Sequence, residues 1–209
     1  MSSPDLTALV SARLCHDLIS PMGAIGNGLE LMQLASTPGP AELALVNDSL
    51  ANALAKLRFY RIAFGPADPQ ARLSLDEVEA ITDAMYTGRF TVGWEAAATD
   101  LPRSAARLAC LALLCLEKCL PMGGHVRVEA GPDRIRLAVD GRRTAPPPHL
   151  WQHLRDGTPI GELKPDGVQF ALLRQALADT RHRIEMTVEE SAAEIGIIAD
   201  RQELAEARL

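Results

Sequence analysis

The run Leu14-Cys15-His16-Asp17-Leu18-Ile19-Ser20-Pro21 lies inside a longer apolar pattern that decides the fold of the N-terminal part of the chain. Around this run, apolar side chains recur at steps of three and four residues, which places them on one face of an amphipathic helix. They are Val10, Leu14, Leu18, Met22, Ile25, Leu29 and Met32. The pattern predicts a helix that begins at the Ser3-Pro4-Asp5 start signal and ends near Ser36, before Thr37-Pro38-Gly39-Pro40.

His16 is predicted to point away from this apolar face. Two residues separate it from Leu14, and each residue of a helix turns the side chain by about 100°. The face of His16 also carries short or polar side chains at helical steps, namely Arg13, Ser20, Gly23 and Asn27. We therefore expect His16 to face solvent or a partner protein, and these four residues to form a partner-binding surface.

Pro21 and two glycines are costly residues for the interior of a helix. Pro21 predicts a kink one turn beyond His16, because proline lacks an N–H and clashes with the carbonyl of Asp17. Gly23 and Gly26 each cost roughly 1 kcal/mol relative to alanine. Their presence indicates a close approach of another protein's backbone to this face.

A second amphipathic helix follows the first. Its apolar residues are Leu43, Val46, Leu50, Leu54 and Leu57, and Gly65-Pro66 ends it. A short connection between two such helices gives an antiparallel hairpin. Two helices cannot enclose a core, whereas two hairpins can, so residues 1–67 are predicted to form a homodimer through a four-helix bundle.

Residues 68–209 are predicted to form an α/β sandwich. Ser74 and Glu77 form a capping box before a helix that ends near Gly88. A long apolar helix is expected from Arg103 to Leu120, with shorter helices at 150–154 and 168–178. Alternating strands are expected at 90–94, 126–129, 135–139, 184–188 and 194–199. The predicted fold class is α+β, an N-terminal helical hairpin followed by this sandwich.

Composition limits the classes of function. The formal net charge is -6, which argues against binding to nucleic acid or to an anionic membrane surface. No stretch is long and apolar enough to span a bilayer and no secretory signal is visible, so a cytoplasmic protein is expected. The spacing of Cys15, Cys110, Cys115 and Cys119 fits no zinc pattern, and we expect buried structural thiols and no metal site.

The chemistry of the run around His16 favours phosphoryl transfer. A lone histidine on a helix surface is usually only solvated. A neutral imidazole, however, is a good nucleophile near pH 7, and one ring nitrogen can accept a phosphoryl group while a carboxylate polarises the other. Asp17 is the candidate for that carboxylate, although adjacent residues of a helix do not face each other directly. His-Asp followed by Pro21, on a hairpin that precedes an α/β domain, favours the functional interpretation.

The run His16–Pro21 resembles the H-box of sensor histidine kinases, and the remainder of the chain resembles their ATP-binding domain in outline. The nucleotide motifs depart from that pattern at three places. Cys115 stands where the kinases have a magnesium-binding asparagine, Asp140-Gly141 lacks the glycines that should follow, and Gly167-Val168-Gln169 keeps only the first glycine of its box. We therefore expect that ATP is not bound.

An H-box hairpin joined to a degenerate kinase-like domain is similar to the ChpT family of phosphotransferases from alpha-proteobacteria. The resemblance implies a phosphotransferase without autokinase activity. Such a protein takes phosphate from the receiver domain of a hybrid histidine kinase and passes it through phospho-His16 to response regulators of the CtrA type. No cofactor of its own is implied, because the partner receiver domain supplies Mg²⁺ and the acceptor aspartate.

Three points stay open in the sequence. Arg142 and Arg143 lie where the ATP lid would start, and they form either a contact to the acidic surface of a receiver domain or a solvated loop. An ATP-dependent histidine kinase with an atypical site is the first alternative function. A non-enzymatic dimeric adaptor for response regulators is the second.

Overall fold

A computed structural model describes residues 5–34, 39–68, 70–96 and 98–200. Helices α1 (Leu6–Leu34) and α2 (Pro40–Ala63) pack along each other as the predicted hairpin. Asp5 caps α1, since its Oδ1 accepts a hydrogen bond from the Ala8 N–H at 3.1 Å. Ser3 and Ser36, the predicted helix limits, lie outside the described residues. α1 continues through Pro21, which is buried, and the kink stays a prediction.

The rest of the described chain alternates helices and strands. The strands are β1 (Arg72–Ser74), β2 (Phe90–Ala96), β3 (Asp100–Pro102), β4 (Gly124–Ala130), β5 (Arg134–Gly141), β6 (His182–Val188) and β7 (Ala192–Ala199). The helices are α3 (Leu75–Met85), α4 (Arg103–Cys119), α5 (Pro148–Asp156), a 3₁₀ turn (Pro165–Gly167) and α6 (Val168–Asp179). Ser74 caps α3 as predicted, because its hydroxyl accepts the Glu77 N–H at 3.1 Å.

Five strands form one sheet in the order β2-β4-β5-β7-β6. β2 and β4 are parallel, and the other neighbours are antiparallel. A separate antiparallel pair, β1 with β3, joins Leu73 to Leu101 and was not predicted. Strands of three residues are too short to show the two-residue alternation on which the prediction depended.

The sheet is apolar on one face and charged on the other. Val126, Leu137 and Ile195 point inward and are buried, together with most of α4 and α6. On the outer face Arg136 bonds to Glu129 and Glu194 across neighbouring strands. The mixed fold of hairpin and sandwich is therefore confirmed.

The cysteines divide into two groups. Cys110, Cys115 and Cys119 are free and buried, as predicted. Cys15 is exposed, so the expectation of a buried thiol is wrong there. Cys15 precedes His16 on α1 and shares the outward side of the helix, away from the apolar row.

The end of α2 belongs to the same core as the sheet. Phe59, Tyr60 and Ile62 are buried in one cluster with Tyr86 and with the inward side chains of β2, β4 and β5. Partly buried residues near the start of α1 pack against that cluster as well. The boundary between residues 67 and 68 stays a prediction, and the packing joins the two parts firmly.

Candidate phosphotransfer site

His16 projects from α1 with 85% of its side chain exposed. This exposure confirms the orientation predicted from helical phase. Ser20, Gly23 and Asn27 are exposed beside it on the same helix. A side chain at Gly23 would meet no other atom within 4 Å, so the helix is open to a partner at this position.

The imidazole of His16 is oriented by its neighbour in the sequence. Nδ1 of His16 lies 3.0 Å from Oδ1 of Asp17. Burial alone would raise the pKa of Asp17, but hydrogen bonds from His16, Tyr60 and Arg13 outweigh it and lower that pKa below its ordinary value. An ionised carboxylate only accepts hydrogen bonds, so the Nδ1 that faces it carries a proton, and in the neutral imidazole Nε2 is then the free nucleophilic nitrogen.

Asp17 is held on its second carboxylate oxygen and on its backbone. Arg13 Nε lies 2.5 Å from Oδ2 of Asp17, and the hydroxyl of Tyr60 donates to the same oxygen. Lys56 Nζ donates to the backbone carbonyl of Asp17 at 3.1 Å. The carboxylate is therefore fixed by α1 and by α2 together.

Arg13 is placed differently from the other predicted partner-binding residues. Only 18% of its side chain is exposed, and besides Asp17 its Nη1 donates to the backbone carbonyl of Asp166 at 3.2 Å. The guanidinium thus connects the hairpin to the 3₁₀ turn before α6. Its role in partner binding stays a prediction, and its Nε and Nη1 donors already serve the protein's own site.

A cleft of about 290 Å³ opens beside His16. It lies between α1, α4 and the start of α6, and its lining residues are Arg13, His16, Asp17, Leu114, Glu117, Lys118, Asp166 and Gln169. Lys118 forms an ion pair with Asp166 at its rim. Burial against the cleft raises the pKa of the Glu117 carboxyl, although the residue keeps exposed surface. The cleft therefore places polar and charged side chains next to the imidazole.

Tyr60 and Lys56 are the site residues that sequence reasoning missed. Both come from α2, about forty residues along the chain from Asp17, and no spacing rule connects them. The sequence contains only a weak signal for Tyr60. It is one of only two tyrosines in the chain. It also lies three residues after Leu57, the last predicted apolar position of its helix, and therefore close to the same face.

Arg142 and Arg143 lie apart from this cleft. Both are exposed, and Arg142 lines a separate open cleft of about 450 Å³ with Arg89 and Asp140. They follow Gly141, the last residue of β5, and their role in partner binding stays a prediction. The structure does not bring them to His16.

Two residues at the degenerate nucleotide motifs, Cys115 and Gly167, do not fit the roles that the kinase pattern gives to their positions. Cys115 has no exposed surface, and burial raises the pKa of its thiol well above the ordinary range, so it is a poor ligand for magnesium. The Ala145 N–H donates to the Cys119 carbonyl at 2.7 Å. A Cβ on Gly167 would lie 3.0 Å from the Leu150 side chain, which fills the space beside that glycine. Cys115, Cys119 and Gly167 are buried and belong to the packed interior.

Comparison with known proteins shows the family of the chain. A family model for the histidine phosphotransferase C-terminal domain matches residues 75–192. Protein phosphotransferase ChpT of Brucella abortus (strain 2308) is 34% identical over 199 residues, which cover 91% of this chain and 94% of that protein. A solved bacterial phosphotransferase covers 94% of this chain and 97% of its own, with 30% identity and a TM-score of 0.79. The chain therefore belongs to the family of ChpT-type histidine phosphotransferases.

Proposed function

We propose that this protein relays phosphoryl groups between receiver-domain aspartates through phospho-His16. The observation that supports this most is the exposed imidazole whose Nδ1 is held by Asp17, because it leaves Nε2 open to solvent as a nucleophile. Transfer of this kind needs little more than a correctly positioned nucleophile.

The proposed step balances without an added reactant. The Nε2 lone pair of His16 attacks the phosphorus of a phosphorylated aspartate, the N–P bond forms, and the P–O bond to the aspartate breaks. The donor leaves as a carboxylate, and the positive charge that develops on the ring is stabilised by ionised Asp17. In the second step an aspartate of another receiver attacks the phosphorus, and Nε2 recovers its lone pair.

The protein is proposed to need no cofactor of its own and to lack autokinase activity. The burial of Cys115 and the packing of Leu150 beside Gly167 support this proposal, because both positions lack the groups that hold ATP in the kinases. The partner receiver domain would supply Mg²⁺ to the transferring phosphoryl group.

We propose a homodimer formed through the hairpin. Leu43, Leu50 and Leu57 on α2 repeat every seven residues and are each about half exposed. Met22 and Leu29 on α1 show the same spacing and exposure. A heptad of exposed apolar residues is typical of a helix seam, and burying it in a four-helix bundle removes apolar surface from water.

The proposed partners are the receiver domain of a hybrid histidine kinase and response regulators of the CtrA type. Ser20, Gly23 and Asn27 would line the contact around His16, and Arg142 and Arg143 would meet acidic receiver surface. The net charge of -6 does not favour nucleic acid as a partner. No helix in the described part of the chain is long and apolar enough to cross a membrane. We propose a cytoplasmic location, in keeping with the receiver domains that it would serve.

Incubation with receiver domains phosphorylated by acetyl phosphate tests the proposal. We expect acid-labile label on the chain that disappears in His16→Ala and persists in His149→Ala, since His149 is another exposed histidine. Label in the His16→Ala chain would refute the assignment. Regulator binding without any phosphohistidine in the wild type would favour the adaptor instead.

Calorimetry with ATP and magnesium tests the absence of kinase activity. We expect no binding heat and no incorporation of the γ-phosphate. A saturable heat together with autophosphorylation of His16 would support the alternative of a histidine kinase with an atypical site.

A further inference from the structure

Tyr60 connects the phosphotransfer site to the interior of the α/β part. Its hydroxyl donates to Oδ2 of Asp17, while its ring is 3% exposed and belongs to the main core cluster. Burial, followed by the hydrogen bond to Asp17, raises the pKa of Tyr60 well above its ordinary range, so the phenol stays neutral and keeps its proton to donate.

A run of aromatic rings holds Tyr60 in place. Its ring stacks on Phe64 with centroids 5.0 Å apart and packs edge-on against Phe59 at 6.1 Å. Phe59 meets the edge of Tyr86 at 5.3 Å, and Tyr86 contacts Phe90 on β2 at 4.7 Å. The run extends from the carboxylate beside His16 to the first strand of the sheet, and aromatic contacts of this kind restrict ring position.

Tyr60 is the more rigid of the two side chains on Oδ2 of Asp17. Arg13 lies one turn away on the same helix as Asp17, and its guanidinium also donates to the Asp166 carbonyl, but its long side chain has more rotatable bonds than the tyrosine ring. Tyr60 comes from α2 and is packed on all sides. The hydroxyl of Tyr60 therefore determines where Oδ2 lies relative to the core, and with it the direction in which Oδ1 faces His16.

We propose that Tyr60 is a positioning residue for phosphoryl transfer: through Asp17 it keeps the proton of His16 on Nδ1 and so directs the phosphoryl group to Nε2. This inference rests on the proposed function for its biological meaning. It also gives the α/β part a role other than partner contact, because the core of that part packs around the ring of Tyr60, which belongs to α2.

A small phosphodonor tests the positioning without a partner protein. Phosphoramidate transfers its phosphoryl group to histidine: Nε2 attacks the phosphorus, the P–N bond of the donor breaks, and ammonia leaves. In the wild type we expect the His16 product to carry phosphorus on Nε2, as identified by ³¹P and ¹⁵N NMR after subtraction of the His16→Ala spectrum. In Tyr60→Phe we expect a measurable share on Nδ1, together with a shift of the unphosphorylated imidazole toward the Nε2–H tautomer.

Transfer from a phosphorylated receiver domain is the second readout. Tyr60→Phe keeps the ring and loses only the hydroxyl, and we expect it to react about tenfold more slowly. Tyr86→Phe is the matched control, because it removes another buried tyrosine hydroxyl, one without a hydrogen-bond partner among the described residues. We expect Tyr86→Phe to match the wild type in both readouts.

The outcomes separate the two proposals. Altered regiochemistry and slower transfer in Tyr60→Phe, with neither change in Tyr86→Phe, support the positioning role. An unchanged tautomer in Tyr60→Phe overturns it whatever the rate, and an altered tautomer with an unchanged rate overturns its importance for transfer. If the wild type takes phosphate from phosphoramidate but never from a receiver domain, the relay is refuted. In that case the ring nitrogen that carries the phosphoryl group in Tyr60→Phe still tests the positioning role of Tyr60.

Discussion

Asp17 accepts hydrogen bonds on both of its carboxylate oxygens, and each oxygen serves a different part of the site. Oδ1 meets the imidazole of His16, and Oδ2 meets Arg13 and Tyr60. Adjacent residues on a helix do not face each other, yet the short aspartate side chain reaches the neighbouring ring at 3.0 Å. The residue types predict this contact, whereas its geometry depends on the support from α2.

Replacing Asp17 by asparagine removes the charge and keeps the shape. We expect Asp17→Asn to transfer phosphate about 10² times more slowly, because the ring loses the anion that stabilises its positive charge and fixes its tautomer. Rapid-quench assays with a phosphorylated receiver measure this rate. Asp83→Asn, a change of an exposed aspartate on α3, is the control and should leave the rate unchanged. Equal rates for the two variants would contradict the role of Asp17.

The lowered pKa of Asp17 makes folding stability depend on pH. A carboxyl whose pKa is depressed in the folded state stabilises the protein above its unfolded pKa of about 3.9, and this contribution is lost as the pH falls below that value. We expect the wild type to lose more stability than Asp17→Asn between pH 5 and about pH 3. Urea unfolding at each pH measures the difference, and parallel losses in the two proteins would contradict the expectation.

At the scale of the element, α1 presents an open face around the imidazole. A Cβ added at Gly23 or at Gly26 would meet no other atom within 4 Å. Gly23 is seven residues from His16 and shares its face, whereas Gly26 is turned about 80° away from it around the helix. The two glycines therefore allow the docking face to be tested on one helix, with the gain in helix propensity matched. Because Gly26 lies between Met22 and Leu29 of the proposed seam, light scattering must show the same assembly for both variants.

Glutamine at these positions separates docking from stability. We expect Gly23→Gln and Gly26→Gln both to raise the free energy of unfolding by up to about 1 kcal/mol, because glutamine is the better helix former. Only Gly23→Gln should slow transfer from a receiver domain, by about tenfold, since its side chain occupies the space of the approaching partner. Equal transfer rates in the two variants would argue against docking on this face.

Most elements were predictable from the sequence, and the exceptions have physical reasons. The helices α1, α2, α4 and α6 and the strands of the main sheet follow from apolar periodicity and from turn residues. β1 and β3 are each three residues long, and their paired residues lie some thirty positions apart in the sequence, so the local sequence pattern does not indicate them. The ring of Tyr60 and the ammonium of Lys56 reach Asp17 only through the hairpin's packing, which depends on the tertiary fold.

At the scale of the whole molecule, the hairpin leaves a row of leucines on its outer side. If these leucines form a dimer seam, charges placed among them should separate the protomers. We expect Leu50→Glu/Leu57→Glu to run as a folded monomer in size-exclusion chromatography with light scattering, because each leucine contributes about 1.5–3 kcal/mol when it is fully buried. Val188→Glu, on an exposed position of β6, should leave the assembly unchanged. A dimer that survives the double change would refute the seam.

The sequence also indicated where the α/β part departs from the nucleotide motifs of the kinases, and it did not indicate how that part contacts the hairpin. Departures from the nucleotide motifs at Cys115, after Asp140 and after Gly167 can be seen in a single sequence. Each motif needs particular residue types at a fixed spacing. The contacts that attach this part to the hairpin are spread over many ordinary residues, among them Arg13 with Asp166 and the aromatic rings around Tyr60. No sequence motif marks contacts of this kind.

The shared core of α2 and the sheet also has a consequence for motion. Since Phe59, Tyr60 and Ile62 are buried with the strands, the end of α2 cannot open unless the sheet opens with it. We expect the amides of 59–63 to exchange hydrogen with the same opening free energy as those of β5, close to the value for global unfolding. The Tyr60 hydroxyl would then keep its place throughout a protein encounter, so that each partner would meet a carboxylate that is already supported from α2.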